Sequence, residues 1–170
     1  MTLNGFFVTA YPWLTVCGLG LDIIGAFVIA LPDVPPLFKK LKGGRIREGK
    51  YQLESFALIG GTQAYDTILN ELESLYDEHL DAEWRLNPEP HHITIEEGDV
   101  LGGEGKTLVA YTASDDEDDK ERWEIGNIPY WTIELHLRRR IQYEESKIRA
   151  FGFGLLASGF AIQILGHLVT

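Results

Sequence analysis

Residues 12 to 31 read PWLTVCGLGLDIIGAFVIAL, twenty residues in which Asp22 is the only formal charge. At about 1.5 Å of helical rise per residue such a run covers roughly 30 Å, the thickness of a bilayer's hydrocarbon core, so the stretch reads as a transmembrane helix. Residues 150 to 170, AFGFGLLASGFAIQILGHLVT, carry no charged side chain apart from a titratable His167 and read as a second span. The expected fold class is a membrane α-helical hairpin of two transmembrane helices with a small cytoplasmic α+β loop domain between them. A mean hydropathy near zero hides this division, because it averages two apolar ends with a polar middle.

Charge is sorted along the chain in the same way. Residues 32 to 50 hold Lys39, Lys40, Lys42, Arg45, Arg47 and Lys50 against Asp33 and Glu48, a net of +4. Residues 138 to 149 hold Arg138, Arg139, Arg140, Lys147 and Arg149 against Glu144 and Glu145, a net of +3. Residues 51 to 137 carry a net of −17, with only Arg85, Lys106, Lys120 and Arg122 as cations, and the whole chain is at −11. Lys and Arg flanking a span stay on the cytoplasmic side, so both termini are expected outside and the central loop in the cytoplasm of a cell (inner) membrane crossed twice. Lys39, Lys40, Lys42, Arg138, Arg139, Arg140 and Arg149 are the expected contacts to anionic headgroups, each worth about 1 kcal/mol near the surface. The acid excess suits a cytoplasm of very high salt, where carboxylates keep a protein hydrated and their repulsion is screened within a few ångströms. An ordinary solvated acidic loop is the plainer alternative.

The segments follow in order. Residues 1–11 form a short outside N-terminus without the basic n-region of a cleaved signal, so retention is expected, with Pro12 in the first turn of the helix spanning 12–31. A basic juxtamembrane segment, 32–50, places Leu37, Phe38 and Leu41 among lysines as a surface-lying pattern that Gly43-Gly44 breaks. An acidic α+β region, 51–127, holds an amphipathic helix over 63–80 (Tyr65, Ile68, Leu72, Leu75, Tyr76, Leu80) and strands over His92–Glu97, Lys106–Ser114 and Arg122–Ile125. The amphipathic helix over 128–149, with Tyr130, Ile133, Leu137, Ile141 and Ile148 on one stripe, leads into the second span, 150–170.

Sequence chemistry argues against several function classes. Gly105-Lys106-Thr107 resembles the end of a phosphate-binding loop, but Val100 stands where that motif needs glycine and a strand-like LVAYT follows where it needs a helix. Glu89, His91 and His92 lack a second ligand cluster, and His79, His136 and His167 fall on other elements, so no metal is expected. No nucleophile–base arrangement exists, no carboxylate pair stands out among so many, and Cys17 lies inside the first span, so no catalytic residue and no cofactor is expected. The acidity also excludes a nucleic-acid surface.

The specific signal lies inside the spans. Thr15, Gly18, Asp22 and Gly25 fall on one stripe of the first span, and Gly152, Leu156, Gly159, Gln163 and Gly166 on one stripe of the second. Antiparallel pairing of Gly25 with Gly159, Gly18 with Gly166 and Pro32 with Gly152 sets Asp22 beside Gln163, one register for all four pairs. Asp22 then either pins the hairpin through Gln163 or handles a proton or ion, since an ionisable group in a span is costly.

With these residues in view, GLGLDIIGAFVIAL of the first span, Asn127-Ile128-Pro129-Tyr130-Trp131 and the RIRAFGFGLLASGFAIQILG ending resemble small two-span membrane proteins of haloarchaea that have no assigned activity. The resemblance covers about a third of the chain; it implies the two-span and high-salt readings and no reaction. The expectation is a non-enzymatic structural, scaffolding or partner-binding membrane protein, able to form a homo-oligomer or join a larger membrane complex. The alternative is an oligomeric or accessory subunit of a proton- or ion-handling system that uses Asp22.

Overall fold

The computed structural model describes residues 3–79, 91–100, 103–112, 122–125 and 129–168. The chain divides into two compact units, one made of Met1–Phe38 with Glu144–Thr170 and the other of Lys39–Tyr143.

The first unit is a helical hairpin. Its helices are α1 (Leu3–Ala30) and the second half of α5 (Tyr130–Leu168), both long and apolar enough to cross a membrane. The helix begins at Leu3, nine residues before Pro12, so Pro12 lies inside α1 and not in its first turn. Interior proline is tolerated in apolar helices because neighbouring groups satisfy the freed carbonyl. A 3-10 turn, Leu31–Asp33, follows α1 at the end of the expected span, and the Val34 N–H closes the turn on the Leu31 carbonyl at 3.1 Å. A single turn of helix, α2 (Pro35–Phe38), follows.

The hairpin inverts the pattern of a water-soluble helix pair. Gly18, Gly25, Gly152, Gly159 and Gly166 are buried in it, whereas Ile23 is 71% exposed and Phe151 64%, with Leu19, Phe27, Phe160 and Ile164 exposed alongside them. Small residues inside and large apolar residues outside are what a lipid solvent selects, because backbones gain by approaching while apolar side chains lose nothing by facing outward.

The second unit is α+β. Its helices are α3 (Lys42–Ser55), α4 (Gln63–His79) and the first half of α5, and its sheet is an antiparallel meander in the order β1 (Leu58–Ile59), β2 (His92–Val100), β3 (Gly103–Tyr111), β4 (Arg122–Glu124). The β2–β3 register pairs Ile93 with Ala110 and Ile95 with Leu108, so these four share one face, and that face meets the helices. Tyr65, Ile68, Leu72, Leu75 and Tyr76 of α4 and Tyr130, Ile133, Leu137 and Ile141 of α5 complete the core, as their three- and four-residue spacing predicts; Leu80 lies outside the described residues. Thr62 caps α4, its Oγ1 accepting the Tyr65 N–H at 3.2 Å, and Gly61 before it supplies the positive φ of 78° that the turn from β1 requires. The buried Tyr76 hydroxyl donates to the Ile125 carbonyl at 2.5 Å, tying α4 to the end of β4.

The basic segment also differs from its reading in the sequence. Gly43-Gly44 does not break the basic segment; both glycines are buried near the start of α3, whose inner face carries Ile46, Gly49 and Leu53. A Cβ on Gly49 would lie 2.6 Å from Ile68 Cγ1 and 3.2 Å from the Ala64 carbonyl, so glycine is what lets α3 approach α4.

Candidate functional site

Inside the hairpin, the Gln163 amide Nε2 donates to Asp22 Oδ2 at 2.6 Å. The other carboxylate oxygen, Asp22 Oδ1, is buried without a hydrogen-bond partner. It rests on Gly159, where any Cβ would overlap it and would also stand 2.7 Å from the Gly18 carbonyl. A Cβ on Gly18 would meet Gln163 Cγ at 2.6 Å and the Gly159 carbonyl at 2.8 Å. About two turns further on, a Cβ on Gly25 would lie 2.8 Å from the Gly152 carbonyl, and one on Gly152 would lie 2.7 Å from Ile29 Cγ1. At the end of the pair, Arg149 Nη2 reaches Asp33 Oδ1 at 3.1 Å.

The close approaches are therefore Gly18 with Gly159 and Gly25 with Gly152, displaced by one heptad from the register expected from spacing. Gly25 does not face Gly159, Gly18 does not face Gly166, and Pro32 does not face Gly152. Glycines seven apart on both helices offer two registers, and glycine spacing alone does not separate them. In the observed packing Asp22 lies over Gly159, where the missing Cβ leaves room for the carboxylate. Gln163 spans the difference because its side chain is long, so the polar pair forms in the shifted register too. Gly166 is buried in the same hairpin.

Most collar cations meet carboxylates. Lys39 pairs with Glu48 at 2.9 Å, Arg138 with Glu134 at 2.5 Å and Arg149 with Asp33; Lys40 and Arg139 are exposed, and no ion pair to either occurs among the described residues. Pairs this exposed contribute little and leave their cations open to exchange with other anions. Lys42 and Arg140 are different, because both converge on a buried acid. Glu71 takes Lys42 Nζ on Oε1 at 2.9 Å and Arg140 Nε on Oε2 at 2.8 Å, with His136 Nε2 3.9 Å away. Burial disfavours the Glu71 charge, but the hydrogen bonds from Lys42 and Arg140 outweigh it and hold the carboxyl below the usual glutamate range. This clamp joins α3, α4 and α5. Its signal in the sequence is an acid set three residues after Ile68 and four before Leu75, on the apolar stripe itself.

The opposite face of the sheet carries a polar cluster that sequence reading did not assemble. The Tyr111 hydroxyl donates to Glu96 Oε1, Arg122 Nη2 donates to Glu96 Oε2 at 3.1 Å, and His92 stacks on Tyr111 with ring centroids 4.6 Å apart. The Tyr111 and Arg122 hydrogen bonds hold the Glu96 carboxyl below its ordinary value. Strand register brings these groups together, since His92 pairs with Tyr111 and Tyr111 with Arg122. Of the weighed metal ligands, Glu89 lies outside the described residues, and among the described residues no group of three or more His, Cys, Asp or Glu is placed to hold a metal ion. Gly105-Lys106-Thr107 sits within β3, paired to Gly98, Glu97 and Glu96, which is no setting for a phosphate loop.

Comparison of the chain with protein-family models, curated proteins and solved structures finds no match.

Proposed function

We propose that the chain is a two-span integral membrane protein in which the hairpin anchors a non-enzymatic α+β unit that scaffolds or binds a partner. The observation that supports it is the inverted hairpin, with glycine, Asp22 and Gln163 inside and large apolar side chains outside. Both termini face outward and Lys39–Tyr143 faces the cytoplasm of the cell membrane, on the strength of the two basic collars. The collars settle on anionic headgroups, chiefly through Lys40, Arg139 and the exposed, exchangeable pairs of Lys39, Arg138 and Arg149. The net of −17 over 51–137 and the haloarchaeal resemblance support a high-salt cytoplasm. Extraction decides the anchoring: the expressed protein should remain with membranes through an alkaline carbonate wash and leave only with detergent. Release by carbonate would overturn the proposal.

A second reading rests on the unpartnered Asp22 Oδ1, because a buried carboxylate oxygen without a hydrogen bond marks a place that a proton or small cation can fill. Two helices cannot enclose a pathway, so this reading requires a homo-oligomer or a larger membrane complex. Proton flux into liposomes that is abolished by Asp22→Asn would favour it; flux absent from both proteins would leave Asp22 as the hairpin's pin.

A further inference from the structure

Glu71 lies inside the α+β unit with its side chain 4% exposed, and basic side chains from two other helices converge on it. Lys42 of α3 occupies Oε1 at 2.9 Å and Arg140 of α5 occupies Oε2 at 2.8 Å. A third basic group faces the second of these oxygens, for His136 Nε2 stands 3.9 Å from Oε2, just beyond hydrogen-bond reach. His136 and Arg140 are four residues apart on α5, so they share one face of that helix and one acceptor. They differ in access to water, with 15% of the His136 side chain exposed and 35% of that of Arg140.

We infer that His136 is a proton-sensing switch, whose imidazolium takes Glu71 Oε2 from Arg140 and releases the guanidinium from the clamp. A neutral imidazole needs no counter-ion, so above the ordinary imidazole range Arg140 keeps the carboxylate. Once protonated, His136 is a charge held largely out of water and needs Glu71, whereas Arg140 can turn its guanidinium to solvent. Two cations four residues apart also repel, which disfavours both holding the oxygen together. Lys42 keeps Oε1 throughout, so Glu71 faces two cations before and after the exchange. Burial opposes the Glu71 charge, but hydrogen bonds from its cations hold the carboxyl below the usual glutamate range, so it stays ionised while imidazole titrates. The released Arg140 joins Arg138 and Arg139, and a fall in pH thereby adds a cation to the basic collar. That consequence rests on the anchoring proposal; the exchange itself does not, and it is tested without a bilayer.

Thermal unfolding of the full chain in detergent micelles tests the exchange, at about pH 8 and about pH 5.5, either side of the ordinary imidazole value. Arg140→Gln should lower the midpoint at the higher pH, and the loss should shrink by about half at the lower, where His136 serves the carboxylate instead. In a His136→Gln background the loss should be the same at both values, and Lys42→Gln should likewise cost as much at one as at the other. Should Arg140→Gln prevent folding, the Arg140 Nε–H resonance in proton–nitrogen spectra reads the exchange in the native side chain. It should shift as pH falls through the imidazole range, and should stay in place in His136→Gln. The inference is overturned if the Arg140→Gln loss is equal at both values, if it shrinks in the His136→Gln background as well, if the Lys42→Gln loss shrinks alike, or if the resonance moves without His136.

Discussion

Gly159 and Gly154 lie five residues apart on the same apolar helix, and alanine at each should have opposite consequences. At Gly154 a Cβ meets nothing within 4 Å, so Gly154→Ala should be neutral or stabilise slightly through helix propensity, by up to about 1 kcal/mol. At Gly159 the same methyl would overlap Asp22 Oδ1 and stand 2.7 Å from the Gly18 carbonyl, an atom of a rigid backbone that cannot swing aside. The helices would have to separate. Overpacking of this kind costs about 1–3 kcal/mol, and displacement of Asp22 from Gln163 adds about 0.6 kcal/mol at the level of an average interhelical hydrogen bond in a membrane. The expected loss is therefore about 2–4 kcal/mol for Gly159→Ala, and Gly152→Ala should fall in the same range for want of room beside Ile29. Unfolding in mixed micelles titrated with dodecyl sulfate, followed by circular dichroism, measures the difference. Equal midpoints for Gly159→Ala and Gly154→Ala would refute the packing, because glycine would then matter only through helix propensity.

Three further outcomes follow from the α+β unit. Gly49→Ala should lower the thermal midpoint, since contact with Ile68 at 2.6 Å costs about 1–3 kcal/mol and outweighs the helix-propensity gain of about 1 kcal/mol; a rise in the midpoint would show that α3 can shift. Glu71 has a lowered pKa in the folded state, so its stabilising contribution is present above the ordinary glutamate value and is lost as pH falls through and below it. Glu71→Gln should therefore flatten the acid side of the stability–pH curve, and an unchanged curve would mean that Lys42 and Arg140 do not act on it. With −17 over residues 51–137, molar salt should raise the thermal midpoint of the unit; equal midpoints at low and molar salt would count against the high-salt proposal.

The two apolar helices, the α4 stripe, strands β2 to β4 and the run of α5 were legible because each rests on a local pattern that a sequence displays directly, whereas the short β1 was not read as a strand. Tyr65, Ile68, Leu72 and Leu75 show it, as do Ile93 and Ile95 opposite Leu108 and Ala110. The Asp22–Gln163 pair was legible because two apolar helices offer each polar group few other partners. The heptad shift was not, since glycines recur every seven residues on both helices and their spacing fits either register. Gly43-Gly44 misled because glycine signals a break when considered alone, whereas here both are buried at the start of α3. Glu71 went unremarked among so many acids, although its place on the apolar stripe distinguishes it. The Glu96 cluster needed the strand register, which no single segment encodes.

Cysteine accessibility in a Cys17→Ser background tests the membrane arrangement most directly. A membrane-impermeant maleimide should label Ser55→Cys, an exposed position of α3, only when the cytoplasmic side is opened, and should label Thr2→Cys in intact cells. Labelling of Ser55→Cys in intact cells, or protection of Thr2→Cys until lysis, would contradict the arrangement.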